Sequence, residues 1–295
     1  MRSLLFVPGD NSRKLEKSLA TGADALIIDL EDSVAAANKP AARALVRDFV
    51  AQARRDEKRP RLIVRVNPLD GGLTDDDVST VAAAQPDAIM LPKSQDGGDV
   101  QHLSSKIAVA EARHGLADGS IRIIPIATET ASAIFGLSTY AGCSPRLDAL
   151  TWGAEDLSAD VGGEANRDSA GAFSAPYRLA RNLLLFAAAS ARVAAIDTVY
   201  VDFKNDAGLK AECEEARRDG FVAKMAIHPA QVAIINEVFT PDEKTIARAE
   251  RIVAAFAENP GLGVVGMDGE MVDRPHLLRA QRTLARATAA KVSRD

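Results

Sequence analysis

Eight short apolar, β-rich runs recur along the chain, and segments with helical hydrophobic spacing lie between them. The runs are SLLFVP (3–8), ALIIDLED (25–32), RLIVRVN (61–67), AIMLPK (88–93), IRIIPIATE (121–129), ALTWGAED (149–156), TVYVDF (198–203) and AKMAIHP (223–229). Nearly continuous apolar runs of this length suit parallel strands buried on both faces, not half-exposed antiparallel ones. The intervening segments read as helices. SRKLEKSLATG offers Ser12 as a cap, Leu15 and Leu19 as an apolar face and Gly22 as a stop, and KPAARALVRDFVAQARR and AECEEARRDG follow the same logic. Strand–helix alternation repeated eight times predicts a parallel (β/α)8 TIM barrel. A doubly wound sheet would need a phosphate turn after the first strand, and PGDNSRK is not one. The glycine pattern at Gly261, Gly263 and Gly266 comes late, follows Asn259-Pro260 and precedes no helix, so it reads as a hinge.

At 295 residues the chain is long for a bare barrel. The expected division is a catalytic barrel over 1–235 and a C-terminal helical extension and lid over 236–295, the latter with two helical segments, a glycine-rich turn and a terminal helix. Hydrophobic residues make up 47%, enough for a large core, and a net charge of −5 argues against a nucleic-acid partner. The two cysteines, 70 positions apart at Cys143 and Cys213, have no metal-type spacing and read as reduced buried thiols. MRSLLFVPGD is too short in apolar residues for a secretory core, and NLLLFAAASARVAAI is broken by Arg192 and too short to span a bilayer. A cytoplasmic protein with no membrane or nucleic-acid partner is expected.

In barrels of this kind the chemistry sits at the C-terminal ends of the strands. There the runs finish in Asp29, Glu31 and Asp32; Arg65 and Asn67; Lys93; Thr128 and Glu129; Glu155 and Asp156; Asp202; and His228. Glu129 and Asp156 stand 27 residues apart, one β–α–β step, and so are expected on neighbouring strands about 4.8 Å apart. Two carboxylates that close repel unless a proton or cation intervenes, and a hard site with few oxygen ligands suits Mg²⁺ or Mn²⁺. Arg65 adds a planar fork for a substrate carboxylate or keto oxygen. The competing structural readings are plain. Glu129 could cap the next helix, and one of Glu155 and Asp156 could serve pairing alone. Lys93 reads as a salt-bridging residue before a Schiff-base lysine, His228 as a structural histidine before a base, and Asp202 as a barrel-mouth acid. Arg13 and Lys17 fit either a solvated helix face or a phosphate-binding end.

LFVPGDNSRKLEKSLATGADALIIDLEDSV with KPAAR, VRVNP, IMLPK, TETA, WGAEDLSADVGG, AIHPAQ and GEMVDRP together resemble the citrate lyase β-subunit-like (CitE-like) branch of the HpcH/HpaI aldolase family, over nearly the whole chain. The resemblance implies Mg²⁺-dependent carbon–carbon cleavage of a citramalyl, malyl or citryl thioester of coenzyme A or an acyl carrier. It implies Glu129 and Asp156 as metal ligands, Arg65 and Glu129 at the substrate, and Arg13 and Lys17 near the coenzyme A. It also implies Asp273 as a proton-transfer acid on a lid reaching a neighbouring subunit of a trimer or hexamer. Asp268 is a second acid close by, and GVVGMDG lacks the aromatic that relatives often carry before the last motif. The alternatives are a carrier-dependent citrate lyase subunit, a 2-keto-3-deoxy acid aldolase without coenzyme A, and a non-catalytic barrel. The aldolases usually have an early histidine, and this chain has none before His102.

Overall fold

The computed structural model describes residues 1–292. In chain order the elements begin β1 (Ser3–Pro8), α1 (Ser12–Ser18), β2 (Ala25–Asp29), α2 (Lys39–Ala53), β3 (Arg61–Arg65), α3 (Thr74–Ala82), β4 (Ala88–Leu91) and α4 (Gly97–Arg113). Next are β5 (Arg122–Pro125), α5 (Ala131–Gly136), β6 (Ala149–Thr151), α6 (Ala154–Asp160), α7 (Ala175–Ala191), β7 (Ala194–Asp197), α8 (Asp206–Asp219) and β8 (Ala223–Ala226). After β8 come α9 (Ala230–Phe239), α10 (Glu243–Glu258), β9 (Val264–Met267), β10 (Glu270–Asp273) and α11 (Arg274–Val292), so that the expected boundary at 235 falls within α9.

The first eight strands form one parallel sheet in the order β5-β4-β3-β2-β1-β8-β7-β6. It closes between β5 and β6 through bridges at Ile123–Leu147 and Ile126–Thr151, with the Ala127 N–H donating to Thr151 O at 2.8 Å. This is the expected TIM barrel. Alternation along each strand separates two cores. Leu4, Ala25, Ile27, Ile63, Met90 and Ile124 fill the barrel interior, while Leu5, Leu26, Ile28, Leu62, Val64 and Ile89 pack outward against the helices.

Several local expectations are corrected. The seventh strand is Ala194–Asp197 rather than TVYVDF (198–203), which forms the loop after it. Asp202 is therefore an exposed loop residue, and the strand-ending acid is Asp197, fully buried. The cap of α1 is Asn11, whose Oδ1 accepts the Lys14 N–H at 3.0 Å, not Ser12. Thr130, not Glu129, caps α5. Glu155 and Asp156 lie past the end of β6, in the first turn of α6. The glycine-rich segment after α10 is an antiparallel hairpin of β9 and β10. Its turn, Asp268-Gly269, has φ of +53° and +79°, the double left-handed geometry of a type I′ turn. That Asp-Gly dipeptide was the sequence signal for a hairpin. The hairpin, α10 and α11 share a small core of Ala249, Ile252, Val272 and Ala280.

Outside the barrel wall, Lys224 from β8 is fully buried and donates to Asp197 Oδ2 at 2.9 Å and Glu212 Oε1 at 2.8 Å. Asp197 Oδ1 accepts the Trp152 indole N–H at 2.7 Å. Burial opposes ionisation of Asp197, but the charges of Lys224 and Arg181 outweigh it and hold its carboxyl below the ordinary range. Removing one member of such a network strands the others. Lys224→Met is expected to lower unfolding free energy by about 3–5 kcal/mol, read by urea denaturation; a loss below about 1 kcal/mol would show that the network is not ionised.

Candidate active site

The C-terminal ends of the strands surround a cleft of about 440 Å³, whose lining includes Phe6, Asp29, Arg65, Glu129 and Asp156. Sheet register builds its floor. Asp29 and Arg65 are paired positions on the adjacent parallel strands β2 and β3, and both continue the inward-facing parity of Ile27 and Ile63. Their side chains meet in a two-point ion pair, Arg65 Nε to Asp29 Oδ1 at 2.7 Å and Nη2 to Oδ2 at 2.8 Å. Asp29 also accepts the backbone N–H groups of Glu31 at 2.9 Å and Ser33 at 3.0 Å. Burial works against its ionisation, but the Arg65 hydrogen bonds and charge prevail and hold its carboxyl below the usual range. The Arg65 guanidinium stacks 4.9 Å from the Phe6 ring centroid.

Glu31 stands on the other side of Arg65, with Oε2 at 2.8 Å from Nη1. That oxygen is buried and makes no well-directed hydrogen bond, and burial pushes the Glu31 carboxyl up. Lys93 Nζ reaches Glu31 Oε1 at 2.5 Å and lies 3.8 Å from Asp156 Oδ1. Lys93 has φ of +52°, an unusual conformation for a non-glycine residue, and its backbone N–H donates to Glu129 Oε2. The turn after β4 thus touches Glu31 and Glu129 through one residue. Behind β2, Lys39 Nζ donates at 2.9 Å to the carbonyls of both Leu30 and Glu31 and also bonds Asn67 Oδ1.

Glu129 is 3% exposed. Burial, with the nearby charges of Asp156 and Glu31, pushes its carboxyl up to about 8, against the opposing pull of the Lys93 N–H and Arg65. Gly153 makes room for it: a Cβ there would stand 2.7 Å from Glu129 Cγ. The neighbouring acids of α6 then diverge. Glu155 Oε1 accepts the Asn166 side-chain N–H at 2.7 Å, whereas Asp156, 37% exposed, faces Lys93. Around the cleft, Asp29, Glu31, Asp32, Glu129, Glu155 and Asp156 make six carboxylates against the two cations Arg65 and Lys93. Such an excess, with one carboxylate that cannot ionise easily alone, is a donor set for a hard cation. No group of three or more His, Cys, Asp or Glu side chains among the described residues encloses a metal. Two protein carboxylates and open positions fit a magnesium-like ion that keeps waters and meets substrate.

Arg65, Glu129 and Asp156 therefore converge. Arg13 and Lys17 are exposed on α1 and are not among the residues lining the cleft. Asp273 ends β10 on the extension, 46% exposed, and its carboxyl is held low by a hydrogen bond with His276. Asp268 is occupied in the hairpin turn, paired with Arg251 at 2.6 Å. Sequence reasoning missed the supporting roles of Asp29 and Gly153. Strand parity signals the first; a close backbone approach leaves no one-dimensional trace.

The model of the HpcH/HpaI aldolase/citrate lyase family matches residues 2–229. The chain belongs to that family. A second model, for carbon–carbon bond lyases of the TIM-barrel fold, matches residues 176–292. Among curated relatives, a citrate lyase subunit beta of Leuconostoc mesenteroides subsp. cremoris is 34% identical, over 98% of this chain and 93% of its own length. A (3S)-malyl-CoA thioesterase of Cereibacter sphaeroides is 38% identical, over 98% and 95%. The crystal structure of CitE from Mycobacterium tuberculosis with magnesium, acetoacetate and coenzyme A superposes with a TM-score of 0.77 at 30% identity, covering 97% of this chain and 98% of that one. The family member described here is a carbon–carbon lyase.

The raised Glu129 carboxyl sets a pH dependence. Its folded value of about 8 exceeds the ordinary 4.5, so the stability it contributes is present below 4.5 and is lost as pH rises through 8. In EDTA, urea unfolding is expected to show stability falling across that window, and Glu129→Gln to flatten the fall. An unchanged slope in the variant would place the titration elsewhere.

Proposed function

We propose that the chain is a Mg²⁺-dependent lyase that cleaves a 3-hydroxyacyl-CoA of the citramalyl, malyl or citryl type into acetyl-CoA and a keto acid. The observation that carries this reading is the buried Glu129, which shares the negatively charged cleft with Asp156. Glu129 and Asp156 would hold the ion, as their donor set allows. When bound, Mg²⁺ acts as a Lewis acid toward the substrate's 3-hydroxyl and adjacent carboxylate. Arg65 holds the emerging keto acid. Two of its five N–H groups go to Asp29 and one faces Glu31, so two remain for substrate. The bond between C2 and C3 breaks as the hydroxyl loses its proton. The electron pair passes to the thioester enolate, and a proton added at carbon completes acetyl-CoA.

Asp273 is the group we assign to that proton: held low by His276, its carboxylate would take the proton released by the 3-hydroxyl and return it at carbon. Its place on the extension, away from the cleft lining, suits a lid that works on a neighbouring protomer's cleft, and the exposed apolar Met271 and Leu278 beside it suit a contact between copies. A homo-trimer or hexamer is part of the proposal, with Arg13 and Lys17 at the coenzyme A. So is a cytoplasmic location: no helix among the described residues is long and apolar enough to cross a membrane, and Cys143 and Cys213 are free thiols. The relatives also favour a second reading, a carrier-linked citrate lyase subunit.

The test is a coupled assay with citramalyl-CoA, malyl-CoA and citryl-CoA, with Mg²⁺ or EDTA, that resolves acetyl-CoA from free coenzyme A. EDTA-sensitive release of acetyl-CoA and a keto acid is expected. Free coenzyme A with the intact hydroxy acid would mean thioester hydrolysis, and no turnover would leave the carrier-linked reading. Asp156→Ala is expected to lose at least about 10³-fold in kcat/KM together with its affinity for Mn²⁺; near-normal turnover would remove Asp156 from the metal site. Gly153→Ala should weaken Mn²⁺ binding while the fold survives, because its methyl group displaces Glu129.

A further inference from the structure

The opposite end of the barrel carries a second cavity, of about 370 Å³, between the starts of the strands and α11. Arg2 before β1, Arg61 at the start of β3, Asp148 before β6 and Val222 before β8 form its floor, with Phe239 from the end of α9. α11 covers it with Ala285, Arg286, Ala289 and Ala290, two i, i+4 pairs on one face of the helix. The alanines leave space, and Arg286 is the charged group that α11 brings to it. The cavity is separate from the reaction site: β3 runs from Arg61 here to Arg65 at the cleft.

The three arginines differ in what already holds them. Arg2 is occupied by the fold: Nε and Nη2 donate to Asp24 at 2.9 and 2.7 Å, and Nη1 donates to Thr240 Oγ1 at 3.0 Å. Arg61 Nη1 donates to Asp148 Oδ2 at 2.6 Å, and a guanidinium has four further N–H groups to offer. Asp148, the acid of the cavity lining, also faces Arg122, so its charge is already answered. Arg286 has no such partner. Its Nε is buried without a hydrogen bond, and its Nη2 makes one long contact, 3.5 Å to Thr283 of its own helix. Among the described residues no acid pairs with it. Burial, and after it the positive charges of Arg217 and Arg282, make its guanidinium hold its proton less firmly than usual. A half-buried cation among like charges is a cost to the empty protein, and an anion in the cavity would offset it.

We infer that this cavity is a second ligand site, for a small organic anion whose carboxylate or phosphate is held by Arg286, with Arg61 on the facing wall, while its apolar body packs on Val222, Phe239 and the alanines of α11. A guanidinium fork suits either head group. Arg61 belongs to the barrel and Arg286 to the terminal helix, so a bound anion ties α11 to the base of the barrel. The inference goes beyond the lyase reading and does not rest on it.

The test is thermal unfolding of the full chain in an amine buffer with chloride as the counter-ion, alone and with benzoate, phenyl phosphate or the uncharged benzyl alcohol, for the wild type, Arg286→Met and Arg286→Lys. Without a probe, Arg286→Met should melt at or above the wild-type temperature, because it removes an unpaired cation from a half-buried position. Benzoate or phenyl phosphate should raise the wild-type midpoint by several degrees in a saturable way, and benzyl alcohol should not. The rise should vanish in Arg286→Met and persist in part in Arg286→Lys, and the tighter-binding probe tells carboxylate from phosphate. No rise with either anion, or an equal rise with benzyl alcohol, would overturn the site. An equal rise in Arg286→Met would place the anions elsewhere, as at Arg65, and overturn it too. A probe-free Arg286→Met that melts well below the wild type would give Arg286 a structural role and have the same consequence. None of these outcomes decides acetyl-CoA release in the coupled assay, so the two readings stand or fall separately.

Discussion

The Asp29–Arg65 pair is the interaction on which the rest of the site depends. It exists because β2 and β3 run parallel in a register that sets those positions side by side, both pointing into the barrel. An arginine buried there without its carboxylate would be untenable, and a carboxylate without the arginine would protonate. Once fixed by two hydrogen bonds, the guanidinium cannot turn away from the cleft, and its remaining N–H groups have one direction to point. Phe6 behind it and Glu31 beside it complete the clamp. In the proposed reaction a substrate would meet an oriented donor without the entropy loss of ordering a long side chain.

From that fixed point the acids divide by environment. Asp29 is ionised by its partners, while Glu129, deeper and hemmed in by Asp156 and Glu31, is pushed toward its neutral form. A cation beside it would favour the ionised form of Glu129, and a hard, multiply charged ion would do so more than a monovalent one. Lys93 has too little reach to substitute: its ammonium is drawn to Glu31, and it meets Glu129 through its backbone N–H.

Much of this was legible in one dimension. Continuous apolar runs marked seven of the eight strands, and polar residues where the runs stop marked Arg65, Glu129 and Asp156. The seventh strand was misplaced because AAID is short and alanine-rich, while the loop TVYVDF has better β-formers. Tertiary burial of Ala195 and Ile196 decided the matter against propensity. The hairpin was missed although its Asp-Gly turn stood in plain view, since a late glycine-rich segment invites a loop reading. Gly153 and the Lys93 backbone carried no readable signal; both act through shape, which depends on residues far away in sequence.

Charge accounting on the two sides of the barrel wall separates structure from chemistry. Outside, Lys224, Arg181 and Arg167 face Asp197, Glu212 and Asp219, three cations against three acids, each within reach of an opposite charge. That network balances in charge, although Arg181 Nη2 is buried without a hydrogen-bond partner, and its task is mechanical: Asp197 holds the Trp152 indole, and Trp152 leads directly into Gly153 and the turn that presents Asp156. Inside, six acids face two cations, and a buried oxygen of Glu31 lacks a well-directed donor. A fold can hold an unneutralised cluster only where the surroundings overdetermine the geometry, as the closed barrel does here. The charge-balanced network anchors Trp152 and with it the turn that carries Asp156. The excess of negative charge, rather than any single residue, is what suits the cluster to a cation.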